Sequence, residues 1–187
     1  MNLVIDMNSK RNTFGFSEFV LPLISIVEEI DECVVKHYLE LDSKNLASFD
    51  GIILSGSALK NTLTLKKRDL FEWIKDCDIP ILGICAGMQT TGLVFGGYLK
   101  RCCEIGMTEI LTLKTNPLFS SRFKAFSLHN HAIIPSDEFE VLAKSAKCVQ
   151  AMKHLRKEIY GVLFHPEVRN REILQKFVHT FSLHQTI

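Results

Sequence analysis

The sequence predicts an α/β domain with a largely parallel central sheet flanked by helices. Two observations carry that prediction. Short apolar runs at residues 3–5, 51–54 and 81–84 have the composition of strands buried on both faces. Between them, apolar residues recur every three or four positions, the period of a helix with one buried side. Strand and helix in alternation place helices on both faces of a parallel sheet.

Taken in order, residues 3–5 form the first strand. Phe16, Phe19, Val20, Leu23, Ile24, Val27 and Ile30 then share a helix face, with Ser17 as its expected N-cap. Residues 33–35 form a second strand, and residues 51–54 a third that ends in Ser55-Gly56-Ser57. Leu70, Trp73, Ile74 and Cys77 mark another helix, stopped by Pro80. Residues 81–84 are the fourth run. After Gly97 the pattern changes to shorter runs at 107–113, 125–128, 139–142 and 160–164, which predict extra short strands in the C-terminal half. Ile173, Leu174, Phe177, Val178 and Phe181 close the chain as a helix. No repeat, low-complexity tract or linker interrupts this order, so residues 1–187 are expected to form one domain.

Composition narrows the function. Hydrophobic residues make up 47% of the 187 and charged residues 23%, as in ordinary globular proteins. Lys plus Arg number 22 against 21 for Asp plus Glu. That balance supplies no basic face for nucleic acid or for an anionic membrane. The N-terminus lacks the basic start and long apolar core of a signal peptide, and no apolar run is long enough to cross a bilayer. The six cysteines contain no C-x-x-C pair, so their spacing predicts neither a metal site nor a disulfide framework. A cytoplasmic protein with reduced thiols is the expectation.

One cysteine stands in a distinctive setting. Gly83-Ile84-Cys85-Ala86-Gly87 has the form G-x-C-x-G, after an apolar strand and before a helix-compatible run. It is the cysteine counterpart of the G-x-S-x-G nucleophile elbow. An isolated cysteine in such a loop is ordinarily just a small buried residue, and the glycines alone do not decide. A nucleophile also needs a base. His165 follows the apolar run 160–164, with Pro166 next and Glu167 two residues on. Along an extended chain, residues i and i+2 point to one side, so Glu167 can hold the imidazole that takes the thiol proton.

Together these segments resemble the class I, or triad, glutamine amidotransferases over most of the chain. The resemblance rests on GIILSGS at 51–57, GICAGMQ ending at Gln89, and YGVLFHPEV ending at Val168. Within that family, EIGMTEI at 104–110, NPLF at 116–119 and VQAMKH at 149–154 are most similar to the glutaminase part of GMP synthase. The resemblance implies a flavodoxin-like architecture and a Cys85-His165-Glu167 triad acting on L-glutamine. It implies an oxyanion hole from the backbone N–H groups of Ser57 and Ala86, and substrate contacts from Gly56, Gln89, Asn130 and His131. It also implies a partner, an ATP-dependent synthetase that receives the ammonia, foremost the one that aminates xanthosine monophosphate (XMP). The chain carries neither a G-x-x-x-x-G-K-S/T loop nor G-x-G-x-x-G after a strand, so no nucleotide cofactor is expected, and no metal.

The chain departs from the family's S-G-G-P loop at Ser57-Ala58, and Leu163 replaces the glutamine usual before F-H-P-E. Three other functions remain open on the sequence. They are an amidotransferase for another acceptor such as anthranilate or aminodeoxychorismate, a cysteine or γ-glutamyl hydrolase on the same fold, and a non-catalytic binding module.

Overall fold

The computed structural model describes residues 1–11, 13–59 and 63–182. Its strands are β1 (Asn2–Asp6), β2 (Cys33–His37), β3 (Gly51–Leu54), β4 (Ile81–Ile84), β5 (Tyr98–Thr112), β6 (Arg122–Ile134), β7 (Phe139–Lys144), β8 (Val149–His154) and β9 (Ile159–Val162). They form a single nine-stranded sheet in the order β2-β1-β3-β4-β9-β8-β7-β5-β6. The five strands from β2 to β9 in that order run parallel. Beyond β9 the sheet continues antiparallel.

The parallel strands are apolar throughout because both of their faces are covered. Val4, Ile53, Leu82 and Ile84 pack on one side, against helices α1 (Leu21–Val27) and α4 (Arg171–Ser182). Leu3, Ile5, Ile52 and Leu54 pack on the other. There they meet Phe71 and Ile74 of a helical segment and Met88 of helix α3 (Ala86–Val94).

Several elements differ from the sequence expectation for identifiable reasons. The first helix opens as a turn of π-helix over Phe16–Val20 with Gly15 at the N-cap, so Ser17 lies inside it and caps nothing. The segment Arg68–Lys75 is a 3₁₀ helix. Its three-residue turn aligns Phe71 with Ile74, and both are buried, while Leu70 is exposed. Strands β5 and β6 are long, because one face of each meets solvent and an apolar count catches only part of such a strand. Strand β8 carried no clear apolar alternation. No helix among the described residues is long and apolar enough to cross a membrane.

The order β3-β4-β9 positions the site. These neighbours are parallel, so their carboxyl ends lie side by side at one edge of the sheet. The segments that leave those ends begin with Ser55, Cys85 and Leu163. Ligands of open α/β sheets bind at that edge.

Candidate active site

Cys85 stands between β4 and α3 with φ 46° and ψ −99°, a backbone conformation that side-chain-bearing residues avoid. Its N–H donates to the Val162 carbonyl (2.8 Å), and Gln89 N–H closes the first helical turn on the Cys85 carbonyl (2.9 Å). The thiol therefore sits at the N-terminus of α3, beside the unpaired N–H groups of its first turn. The two flanking glycines permit the turn. A Cβ on Gly83 would lie 2.6 Å from the Gly87 carbonyl carbon, and one on Gly87 would lie 2.5 Å from the Leu54 carbonyl oxygen.

That contact gives a prediction in which two effects oppose. Gly87→Ala should stabilise α3 by about 1 kcal/mol through helix propensity. The new methyl would instead meet the backbone of β3, which is held on both sides by β1 and β4. Overpacking should win, with a net loss of about 1–3 kcal/mol. The melting temperature should fall by roughly 2–12 °C in calorimetry. A rise would show that the elbow has slack.

His165 comes close to Cys85 from β9. Its own N–H donates to the Phe126 carbonyl (2.8 Å), which ties it to β6. Nδ1 lies 2.7 Å from Glu167 Oε1, and both side chains are fully buried. The geometry differs from the extended pair expected from the sequence. Val168 N–H donates to the His165 carbonyl (3.2 Å), so His165, Pro166, Glu167 and Val168 form a turn. Proline suits the second position of such a turn, and the turn rather than strand alternation brings the carboxylate under the ring.

The charge state of His165 follows from competing influences. Burial is the largest and disfavours imidazolium. Glu167 comes next and favours it, followed by Cys85, and together they raise the pKa well above its ordinary value. Glu167 Oε2 makes no hydrogen bond among the described residues, so this buried carboxylate is compensated through His165. Phe19 covers the imidazole with ring centroids 5.3 Å apart. On another side there is room only for glycine, since a Cβ at Gly56 would lie 2.6 Å from His165 Cε1.

A cleft beside the thiol is lined by Ser57, Ala86, Gln89, Asn130 and His131, together with Leu128 and His129. Gly56 lies against His165, next to this lining. The fold thus brings together every residue nominated from the sequence. Gln89 Nε2 donates to the His131 carbonyl (2.7 Å), so it also fastens α3 to β6. Ala86 is the first residue of α3, so its N–H is one of the donors that a helix leaves unpaired. Two groups were missed. The Leu128 carbonyl accepts from Cys85 Sγ (3.6 Å), and a backbone acceptor leaves no trace in sequence. The Ser55 hydroxyl accepts from Met7 N–H (3.0 Å) and donates to the Gly56 carbonyl (2.9 Å), which orients the peptide that carries the Ser57 N–H.

Comparison with known proteins identifies the family. The family model for glutamine amidotransferase class-I matches residues 23–184. The chain belongs to the class I glutamine amidotransferases. Among curated members of this amidotransferase family, the glutamine-hydrolyzing GMP synthase subunit of Methanosphaera stadtmanae is 42% identical over 139 residues, 68% of this chain and 72% of the relative. Its counterpart from Pyrococcus abyssi is 32% identical over 162 residues, 82% of this chain and 85% of the relative. In three dimensions, a GMP synthase subunit from Thermoplasma acidophilum superposes with a TM-score of 0.84 at 28% identity, covering 97% of this chain and 94% of that one. A Thermotoga maritima glutamine amidotransferase shares the fold at a TM-score of 0.70 and 20% identity, over 97% of this amidotransferase and 82% of the other.

Proposed function

We propose that residues 1–187 act as one glutaminase domain, a soluble cytoplasmic subunit that passes ammonia to a separate ATP-dependent synthetase aminating XMP. The observation that carries this reading is the strained Cys85 at a helix N-terminus beside the buried His165-Glu167 pair. Cys85 thiolate attacks the side-chain carboxamide carbon of glutamine, and the carbonyl oxygen becomes an oxyanion. The N–H groups of Ser57 and Ala86 hold that charge. The His165 imidazolium gives its proton to the departing nitrogen, and ammonia leaves a thioester on Cys85. Water then attacks the thioester while His165 takes its proton, releasing glutamate and restoring the pair. Glu167 holds the ring throughout.

XMP amination is favoured because the curated GMP synthase relatives align over most of their own length. Ammonia released into water is protonated and diluted, so hydrolysis that waits for a docked synthetase wastes the least glutamine.

The test is glutamine hydrolysis by the purified chain, alone and with the synthetase component of a GMP synthase, ATP and XMP. Hydrolysis should be slow alone and rise roughly tenfold or more, within the ordinary 5- to 150-fold range of coupling between sites. Fast hydrolysis that the partner leaves unchanged would overturn the coupling. No ammonia release with any synthetase would overturn the glutaminase.

A further inference from the structure

Behind the cleft, on the far side of His129, the fold gathers a second set of reactive side chains. One ligand-type atom each from Cys102, Glu104 and Cys148 lies within 4.8 Å of the others. His129 Nε2 lies 3.3 Å from Glu104 Oε2. We propose that Cys102, Glu104, His129 and Cys148 form a four-ligand site for a divalent transition metal, with zinc the ion best suited to two thiolates, an imidazole and a carboxylate.

The decisive observation is the orientation of His129. The residue is 2% exposed. Its Nδ1 lies 3.0 Å from the Cys102 carbonyl, which can only accept, so Nδ1 carries the hydrogen. In the neutral ring, Nε2 then presents a lone pair. That atom is buried, makes no hydrogen bond among the described residues, and faces a carboxylate oxygen. Two electron-rich atoms opposed at this distance in a dry interior repel unless a proton or a metal ion lies between them. An imidazole whose other nitrogen donates to a backbone carbonyl is also the usual state of a metal-bound histidine.

The surroundings fit the same purpose. A bulge in β5 between Arg101 and Glu104 shifts the strand's phase and turns Cys102 and Glu104 inward together. Ser145 Oγ (3.1 Å) and Gln150 Nε2 (2.6 Å) donate to Glu104 Oε2 and fix the carboxylate, as second-sphere groups do. Cys148, in the turn before β8, points its sulfur at the same oxygen (3.4 Å). The four ligands come from β5, β6 and the β7–β8 turn, distant in sequence, which is why cysteine spacing did not reveal them. A bound ion would fasten β6 at His129, between Leu128 and Asn130 of the cleft.

The test uses the whole chain, reduced and stripped of metal by chelation, then titrated with Co²⁺ and afterwards Zn²⁺. One equivalent of cobalt should bind with a thiolate-to-metal charge-transfer band, which zinc then abolishes. The band should vanish in Cys102→Ser/Cys148→Ser and persist in Cys103→Ser, whose residue is exposed and outside the cluster. Zinc at a hundredfold excess over its Kd should raise the melting temperature by about 5–10 °C. Failure of the reduced wild-type chain to develop the band overturns the proposal, whatever the variants do. So does a band that survives loss of both cysteines.

Discussion

Cys85→Ala should lower glutamine hydrolysis by at least about 10⁴-fold, measured as ammonia released with the synthetase component of a GMP synthase present. The substitution isolates chemistry from structure. Alanine keeps the same backbone demand at φ 46°, so it neither relieves nor adds to the local strain. The neighbouring bonds, Cys85 N–H to Val162 and Gln89 N–H to Cys85, belong to the backbone and survive. A glutamine-like electrophile should add its mass to the wild-type chain and leave the variant unlabelled. Activity within tenfold of wild type would mean that another nucleophile does the work.

Glu167→Gln should be nearly as severe, with kcat reduced about 10³- to 10⁴-fold, as when other catalytic histidines lose their carboxylate. The amide conserves shape and removes charge. Burial, the largest influence on His165 and the one opposing imidazolium, then faces only Cys85. The amide's NH₂ can also donate to Nδ1 and select the wrong tautomer. A second readout follows from linkage. The folded-state pKa of His165 lies above its unfolded value of about 6.5. The imidazolium's contribution to stability is therefore complete below pH 6.5 and is lost as pH rises through the folded pKa. The slope in that window is at most about 1.4 kcal/mol per pH unit. Melting temperature against pH should fall across it in the wild type and fall less in the variant. Equal slopes would show that Glu167 does not hold the charge.

The legibility of this chain in its sequence depended on burial. Strands β1, β3 and β4 are covered on both faces, so composition alone marks them. The elbow was legible because Gly83 and Gly87 answer a steric demand fixed by spacing. The His165-Glu167 pair was found by alternation, although a turn holds it. The long β5–β6 ribbon was only partly legible, because solvent on one face and a bulge near Cys102 break the apolar rhythm. Groups acting across the fold, such as the Leu128 carbonyl and the Cys102-Cys148 approach, depend on register between strands, which local pattern does not encode.

The backbone of Cys85 sets two selective pressures against each other. A residue held in such a conformation costs on the order of 1–3 kcal/mol. Glycine would accept it freely, at an entropic cost of roughly 0.5–1 kcal/mol. A search of variants for heat resistance alone should therefore enrich glycine at position 85 and discard the one sulfur that the surrounding loops converge upon. In this chain the strained position carries the sulfur at the expense of durability.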